Sequence, residues 1–363
     1  MTAEDTHDAA DASISSDVDP IQADRAFNHP AQLTDAFLSA QLGRAVTLTA
    51  LEPLIDGHMA QVLRLEFTSV TASLDPAQTE TVIYKGPLQS ATREIAARFK
   101  SLEREAVFYR ALAPKLAIAT PRCWSVASVT AAEPWLLLED LAPEAAFAPP
   151  LTIASALTLL ANLHHETFGS PITGLTFNNN INDLNHFIQS QDPIAVEQCL
   201  KAALPARASL LPPMLSGRMA IQDDLHHPGP VLCHGDFRWD NLSAAKTGCL
   251  IDWGDYCMGP PAYDLGYFLA TSTQDRNPTD SNLSLWIDHY LNAMHASGSA
   301  VNPALTRAGL IQDIVCLLPI IAWTPVMMLM TAAKLPGRRH TYWRDALAYC
   351  ERLSQQLRKL LNS

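Results

Sequence analysis

The sequence predicts an α+β protein, with a small β-rich N-terminal part followed by a larger, mostly helical one. Three observations carry this. Alternating apolar and polar runs of strand length recur between residues 46 and 85. A continuous apolar run, Trp135-Leu136-Leu137-Leu138, then closes the region as a buried strand. From Leu151 onward the apolar residues recur at three- and four-residue spacing instead. With 363 residues, 48% of them hydrophobic, the chain can form one large two-lobed domain or two small domains around a substantial core.

The elements follow in order. Residues 1–27 are rich in Asp, Ala, Ser and Thr and read as a disordered acidic tail. Residues 28–138 then make the N-terminal lobe and residues 139–363 the helical C-terminal lobe. Leu33 to Leu42 carries a helical pattern, and strands follow at Val46–Thr49, Val62–Phe67 and Thr81–Lys85. The turn Asp75-Pro76-Ala77-Gln78 separates the last two. Gly57, in Ile55-Asp56-Gly57-His58-Met59-Ala60, lies between strands and suits a hairpin turn. In Thr81-Val82-Ile83-Tyr84-Lys85, alternation puts Val82 and Tyr84 on one face and Ile83 and Lys85 on the other. A lysine sharing a face with a buried isoleucine is poorly placed for solvation; the alternative is an ordinary exposed strand end.

Farther along, Leu157, Leu160, Ala161, His164 and Phe168 keep helical spacing, so His164 reads as a packed core residue. Asp223-Asp224 and His226-His227 have no spacing that would make them converge on a metal, and read as solvated loop residues. Ile314 to Ala333 has no charged residue and is long enough to span a bilayer. Pro319 and Pro325 interrupt it, which favours a buried, proline-broken helix pair and no membrane span.

Composition narrows the partners. The formal net charge is −12 and the pI about 5.4, with no basic runs, which argues against nucleic acid. The seven cysteines are scattered without a C-x-x-C pair, as expected of buried thiols in a reducing compartment. The polar, acidic N-terminus lacks the apolar stretch of a signal peptide, so a cytoplasmic location is expected. Oligomeric state is left open.

The chemistry concentrates between Val231 and Leu269. Asp236 can accept a proton from an attacking hydroxyl. Asn241, five residues on, and Asp252, after a second apolar run, offer hard oxygens that suit Mg²⁺ beside a nucleotide's phosphates. Phosphoryl transfer is mostly positioning and charge neutralisation, so a base and two ligands on one short segment suffice. Arg238, between base and ligand, is placed to help neutralise a transferring phosphoryl group.

His234-Gly235-Asp236 with Asn241, then Ile251-Asp252-Trp253 and the tail Gly259-Pro260-Pro261-Ala262-Tyr263-Asp264-Leu265, resembles the aminoglycoside phosphotransferase and choline kinase branch of the protein-kinase-like superfamily. Within it the pattern looks closest to the bacterial relatives of ecdysteroid-kinase-like proteins, the CHK kinase-like phosphotransferases. The resemblance implies a two-lobed kinase-like fold and transfer of the γ-phosphate of ATP, with Mg²⁺, to an alcohol on a small molecule. It implies that Asp236 is the catalytic base, that Asn241 and Asp252 hold the metal, and that His234 and Asp264 support the catalytic loop. Lys85 would bind the α and β phosphates. In Leu102-Glu103-Arg104-Glu105-Ala106-Val107-Phe108-Tyr109 the family pattern matches Glu105 as the lysine's partner, with Glu103 and Glu94 as alternatives. Gly57 would mark the loop over the nucleotide, and backbone groups from Glu139 to Leu141 would meet the adenine edge. Trp286, Tyr290, Trp323, Met327 and Met328 would form the outer wall of the acceptor cleft. Two other readings stay open: a nucleotide-binding pseudokinase scaffold, and an aminoglycoside-type antibiotic kinase.

Overall fold

The computed structural model describes residues 33–54, 60–70, 79–87, 99–127, 134–170, 172, 175, 177–216, 219, 225–226, 229–296, 305–332 and 338–363. The acidic tail, Gly57, the Asp75–Gln78 turn, Glu94, Asp223, Asp224 and His227 lie outside these residues.

The N-terminal lobe begins with helix α1 (Asp35–Leu42), capped by the Thr34 side chain and closed by Gly43 in the left-handed conformation. Strands β1 (Val46–Pro53), β2 (Gln61–Ser69) and β3 (Thr79–Gly86) follow. Next come helix α2 (Ser101–Ala111) and strands β4 (Cys123–Val126) and β5 (Leu136–Glu139). The five strands form one antiparallel sheet in the order β1-β2-β3-β5-β4, with Lys85 opposite Leu136 and Tyr84 opposite Leu137. Alternation decides the faces. Leu63, Leu65, Phe67, Val82, Tyr84 and Leu137 fill the lobe's own core, while Val62, Arg64, Ile83 and Lys85 line a cleft.

Beyond Glu139 the chain is mostly helical. Helices α3 (Ile153–Thr167), α4 (Phe177–Gln189) and α5 (Pro193–Ala203) lead to strand β6 (Val231–Cys233). The short hairpin β7 (Leu242–Ser243) and β8 (Cys249–Leu250) is followed by β9 (Cys257–Gly259), which pairs with β6. Helices α6 (Pro261–Ser272), α7 (Asp280–Ala296), α8 (Arg307–Ile321), α9 (Trp323–Ala332) and α10 (Arg338–Leu361) complete the chain. One apolar core runs through this part and continues across α2 to Leu136 and Leu138 of β5, which ties the two lobes together.

The apolar stretch near the C-terminus is a helix pair. Pro319 sits inside α8, and Pro325 has no N–H to continue the ladder from α8, so the axis breaks at Ala322. Among the described residues Arg307–Met330 is long and apolar enough to cross a membrane, yet 67% of its most apolar part is buried inside the protein.

Candidate active site

Strand β6 is three fully buried residues that deliver His234 to a loop. Asp264, one turn into α6 and itself fully buried, fastens that loop from below. Its Oδ2 accepts the His234 N–H at 2.6 Å and its Oδ1 the Gly235 N–H at 3.0 Å. The His234 ring donates from Nε2 to the Ile251 carbonyl at 2.9 Å, so Nδ1 is left to accept the Asp236 N–H at 3.3 Å. Gly235 has φ +86°, and a Cβ there would lie 2.0 Å from the Asp255 carbonyl oxygen, so the loop admits only glycine at this position.

Two short devices then place the polar groups. Asn241 donates its amide to both the backbone carbonyl and Oδ2 of Asp236, each at 2.8 Å, which leaves Oδ1 as its free acceptor end. The Ile251 N–H reaches back to the Asn241 carbonyl at 3.1 Å, so the hairpin sets Asp252 beside Asn241. Asp252 itself is left-handed, with φ 63° and ψ 65°. That is an uncommon state for aspartate, of the kind stored at functional sites.

The cation comes from the other lobe. Lys85 Nζ lies 2.5 Å from Glu105 Oε2 and 2.6 Å from Asp252 Oδ1. Glu105 is held by α2, whose buried face carries Leu102, Glu105, Ala106 and Tyr109 at helical spacing. Phe108 stacks on Trp253 with ring centroids 4.0 Å apart, which locks α2 to the segment after Asp252. Gly254 sits so close that a Cβ would meet Ser101 at 2.8 Å. Glu103 points to solvent, so between the two described candidates only Glu105 meets the lysine.

Electrostatics follow from this packing. Burial alone would lower the Lys85 pKa, but Asp252 and Glu105 outweigh it and hold the ammonium charged well above its ordinary range. Burial pushes the Glu105 carboxyl up to about 6, with Asp252 adding to the rise and Lys85 opposing it. Burial also opposes ionisation of Asp252, yet Lys85 and then Arg238 bring its pKa below the usual carboxylate value. Arg238 pairs with Asp236 at 3.2 Å and with Asp240 at 3.5 Å.

All these groups face one cleft of about 990 Å³ between the lobes. At one end Leu138 to Leu141 form the rim. The Glu139 side chain holds Lys246 at 2.5 Å and the Arg122 N–H at 2.8 Å, both through Oε2. At the opposite end Phe177, Phe187, Tyr263, Trp323, Met327 and Met328 make a largely apolar wall, with Asn180, Asp183 and Asp255 as its polar members.

Residues 91–293, more than half of the chain, match the profile of the phosphotransferase enzyme family, APH. The chain belongs to that family. No curated protein sequence matches it. Among solved structures, a thermostable aminoglycoside phosphotransferase APH(4)-Ia variant with ADP and hygromycin B superposes with TM-score 0.47 and 12% identity, covering 89% of this chain and 98% of that one. An aminoglycoside phosphotransferase from Alicyclobacillus acidocaldarius gives TM-score 0.48 and 11% identity over 87% and 93% of the two chains. Choline kinase from Cryptosporidium parvum gives TM-score 0.48 and 11% identity over 86% and 90%.

Two expectations need correcting. Trp286 and Tyr290 do not face the cleft. Tyr290 is fully buried and its hydroxyl meets His164 Nδ1 at 2.7 Å, while Trp286 packs against the main core. Helical spacing marks which face of a helix is apolar without saying what it packs against. His164 is fully buried, as its spacing suggests, and its Nε2 lies 3.3 Å from Asp264 Oδ2, so it braces the loop support. Sequence reasoning also passed over Asp255, Tyr267 and Arg104, which all line the cleft. For Asp255 the signal was present: it is a second acid three residues after Asp252.

Proposed function

We propose that the protein transfers the γ-phosphoryl group of ATP to a hydroxyl on a small molecule, with Asp236 as general base. The observation that carries this reading is the convergence in one cleft of the Lys85–Glu105 pair, Asp252, and the Asp236–Asn241 pair. In the step itself the acceptor oxygen forms a bond to the γ-phosphorus as the bond to the β-phosphate oxygen breaks. ADP leaves with that electron pair, and the acceptor proton passes to Asp236. Lys85, kept charged and held by Glu105, steadies the α and β phosphates. The Leu141 N–H, which has no hydrogen-bond partner among the described residues, is the donor offered to the adenine edge.

A divalent cation fits the donors. Asn241 Oδ1 and the second oxygen of Asp252 are hard, and Lys85 takes only one oxygen of the Asp252 carboxylate. We assign Mg²⁺ to them; when bound it would neutralise charge on the phosphates. Arg238 sits beside Asp236 as a further positive charge for the transferring group.

For the acceptor we propose an alcohol carried on a largely apolar body. Aromatic and methionine side chains dominate that end of the cleft, in keeping with the ecdysteroid-kinase-like resemblance. All seven cysteines are free, which supports a cytoplasmic location.

Thermal shift with Mg²⁺ alone, ATP alone and both tests the nucleotide site. Ligand at about 100 times its dissociation constant adds roughly 2.7 kcal/mol and raises the melting temperature by a few degrees. The shift is expected only with both present. ADP release is then measured with geraniol, choline and kanamycin as acceptors, geraniol being expected to stimulate most. No shift in folded protein would end the nucleotide-binding reading, and a shift with no transfer to any alcohol would favour a scaffold.

A further inference from the structure

Glu139 and Asp140, where the chain leaves β5 for the C-terminal lobe, are each held by a cation, and the two cations come from different lobes. Arg64 on β2 donates from Nε to Asp140 Oδ2 at 2.7 Å and from Nη1 to Glu52 Oε2 at 2.8 Å. Glu52 is its cross-strand partner on β1, so the sheet itself aligns the guanidinium. The Asp140 side chain is only 4% exposed. From the other lobe, Lys246 in the β7–β8 turn donates from Nζ to Glu139 Oε2 at 2.5 Å and to the Thr120 carbonyl at 3.1 Å. Its backbone N–H donates to Glu144 Oε1 at 2.6 Å, in the short helix Ala142–Ala145. Lys246 is left-handed, with φ 55° and ψ 31°, an uncommon state for lysine that these bonds hold in place.

These links bound a slot. Val62 and Ile83 line the cleft from the sheet, Leu242 and Ile251 from the hairpin, and Leu138 to Leu141 close the end between them. A flat ring gains from two apolar walls only when both touch it; an extra gap of about 0.5–1 Å forfeits roughly a quarter to a half of the contact. The distance between sheet and hairpin therefore matters, and Glu139 and Asp140 are where both are tied to one backbone segment.

Resting on the phosphotransfer reading above, we propose that Arg64 and Lys246 form a two-sided clamp that sets the height of the slot for the nucleotide's base. Arg64 fixes the sheet through Asp140, and Lys246 fixes the hairpin through Glu139. Both are positioning residues. With the clamp intact the slot is ordered before the base arrives; without it, that ordering falls on the binding step and weakens it. The phosphates are held separately, by Lys85 and its partners.

The test is titration calorimetry on the full chain with Mg-ATP and with Mg-tripolyphosphate, which keeps the phosphates and lacks the base. Arg64→Met is expected to raise Kd for Mg-ATP about tenfold, as for a lost charge-assisted bond to a buried carboxylate. Lys246→Met should raise it about threefold, its pair with Glu139 being more exposed. Kd for Mg-tripolyphosphate should stay within about twofold in both, as for a separate site, whereas general loosening of the fold would weaken both ligands. If Arg64→Met does not fold, Arg64→Lys takes its place; it cannot bridge Asp140 and Glu52 together and should lose about threefold. Lys246→Asn, at ease in left-handed backbone, should weaken Mg-ATP as Met does, so that the side chain and not the turn is at work. Lys246→Arg, which keeps the charge-assisted bond, should recover to within about twofold of the wild type. Wild-type affinity for Mg-ATP in either Met variant, or equal losses for the two ligands, would overturn the clamp and leave phosphotransfer standing. So would a wild type that binds the two ligands equally tightly. A folded wild type that binds neither would overturn the phosphotransfer reading and the clamp with it.

Discussion

The two ends of the cleft are held together by different means. At the nucleotide end, five charged or amide side chains from distant parts of the chain meet within hydrogen-bond distance: Lys85 on Glu105 and Asp252, and Asn241 on Asp236. Their positions are set by backbone devices such as a left-handed Asp252, a glycine pressed against a carbonyl, and an aromatic stack. At the acceptor end the wall is made of aromatic, isoleucine and methionine side chains on separate helices, with few directional bonds. A site for triphosphate and metal tolerates little variation in geometry, because charge must be opposed by charge at short range. An apolar wall needs only shape and area, so many sequences serve.

The largest expected effect therefore lies at the first end. Asp236→Ala should lose on the order of 10²–10⁴ in turnover while keeping the Mg²⁺-dependent thermal shift with ATP, as for a removed general base. Asp252→Ala should do the converse and abolish that shift. Full transfer activity in Asp236→Ala would show that the base lies elsewhere.

Next comes the ion pair of Lys85 with Glu105 within the N-terminal lobe. Side-chain exposure is 12% for Lys85 and 2% for Glu105, so Lys85→Met strands a buried carboxylate. Removing one partner of a buried pair costs about 3–5 kcal/mol, and Glu105→Gln added to Lys85→Met should return much of it. Denaturant unfolding of the two variants and the wild type measures this. If Lys85→Met unfolds like the wild type, the pair is solvated and the two ends differ less than the geometry indicates.

The contrast also explains what was legible in the sequence. Asp236, Asn241 and Asp252 could be picked out because one loop and one hairpin fix their spacing, so sequence distance maps onto space. Strand alternation put Lys85 on one face with Ile83, and the family resemblance supplied its place beside the phosphates. The pairing with Glu105 over Glu103 came from the family pattern, and the structure shows its cause: α2 is pinned by Phe108 on Trp253, which turns Glu105 inward. The acceptor wall was much less readable. Trp323, Met327 and Met328 face the cleft while Trp286 and Tyr290, equally apolar and equally spaced, do not. Only packing between helices distant in sequence separates the two sets, and periodicity does not encode it.

Asp255, at the border of the two ends, gives a smaller effect with a defined sign. Burial first, and then Asp236, push its carboxyl up to about 6, above the ordinary aspartate value of 3.8. A raised acid pKa favours the folded state fully below the unfolded value, and that contribution is lost as pH rises through about 6. Asp255→Asn, neutral throughout, should therefore be more stable than the wild type at pH 8, by up to about 3 kcal/mol, and lose that advantage near pH 4. Melting curves at the two pH values decide it, and a difference independent of pH would mean that Asp255 is solvated.

The smallest expected effect probes the acceptor wall. Met327 is half-buried on α9 and lines the cleft. Truncation to alanine removes a few methylene-sized contacts, worth about 1 kcal/mol and so roughly fivefold in KM for an apolar alcohol such as geraniol, with KM for ATP unchanged. Asp183, half-buried in the same wall, provides the opposing control. If the acceptor's body is apolar, Asp183→Asn should leave KM for geraniol within about twofold, since a rim charge adds little to apolar contact. A cationic acceptor reverses the pair: Asp183→Asn would raise its KM and Met327→Ala would not. That outcome would overturn the apolar assignment while leaving the proposed nucleotide end, with its proposed base and metal ligands, untouched, because the two ends share the cleft without sharing the forces that build it.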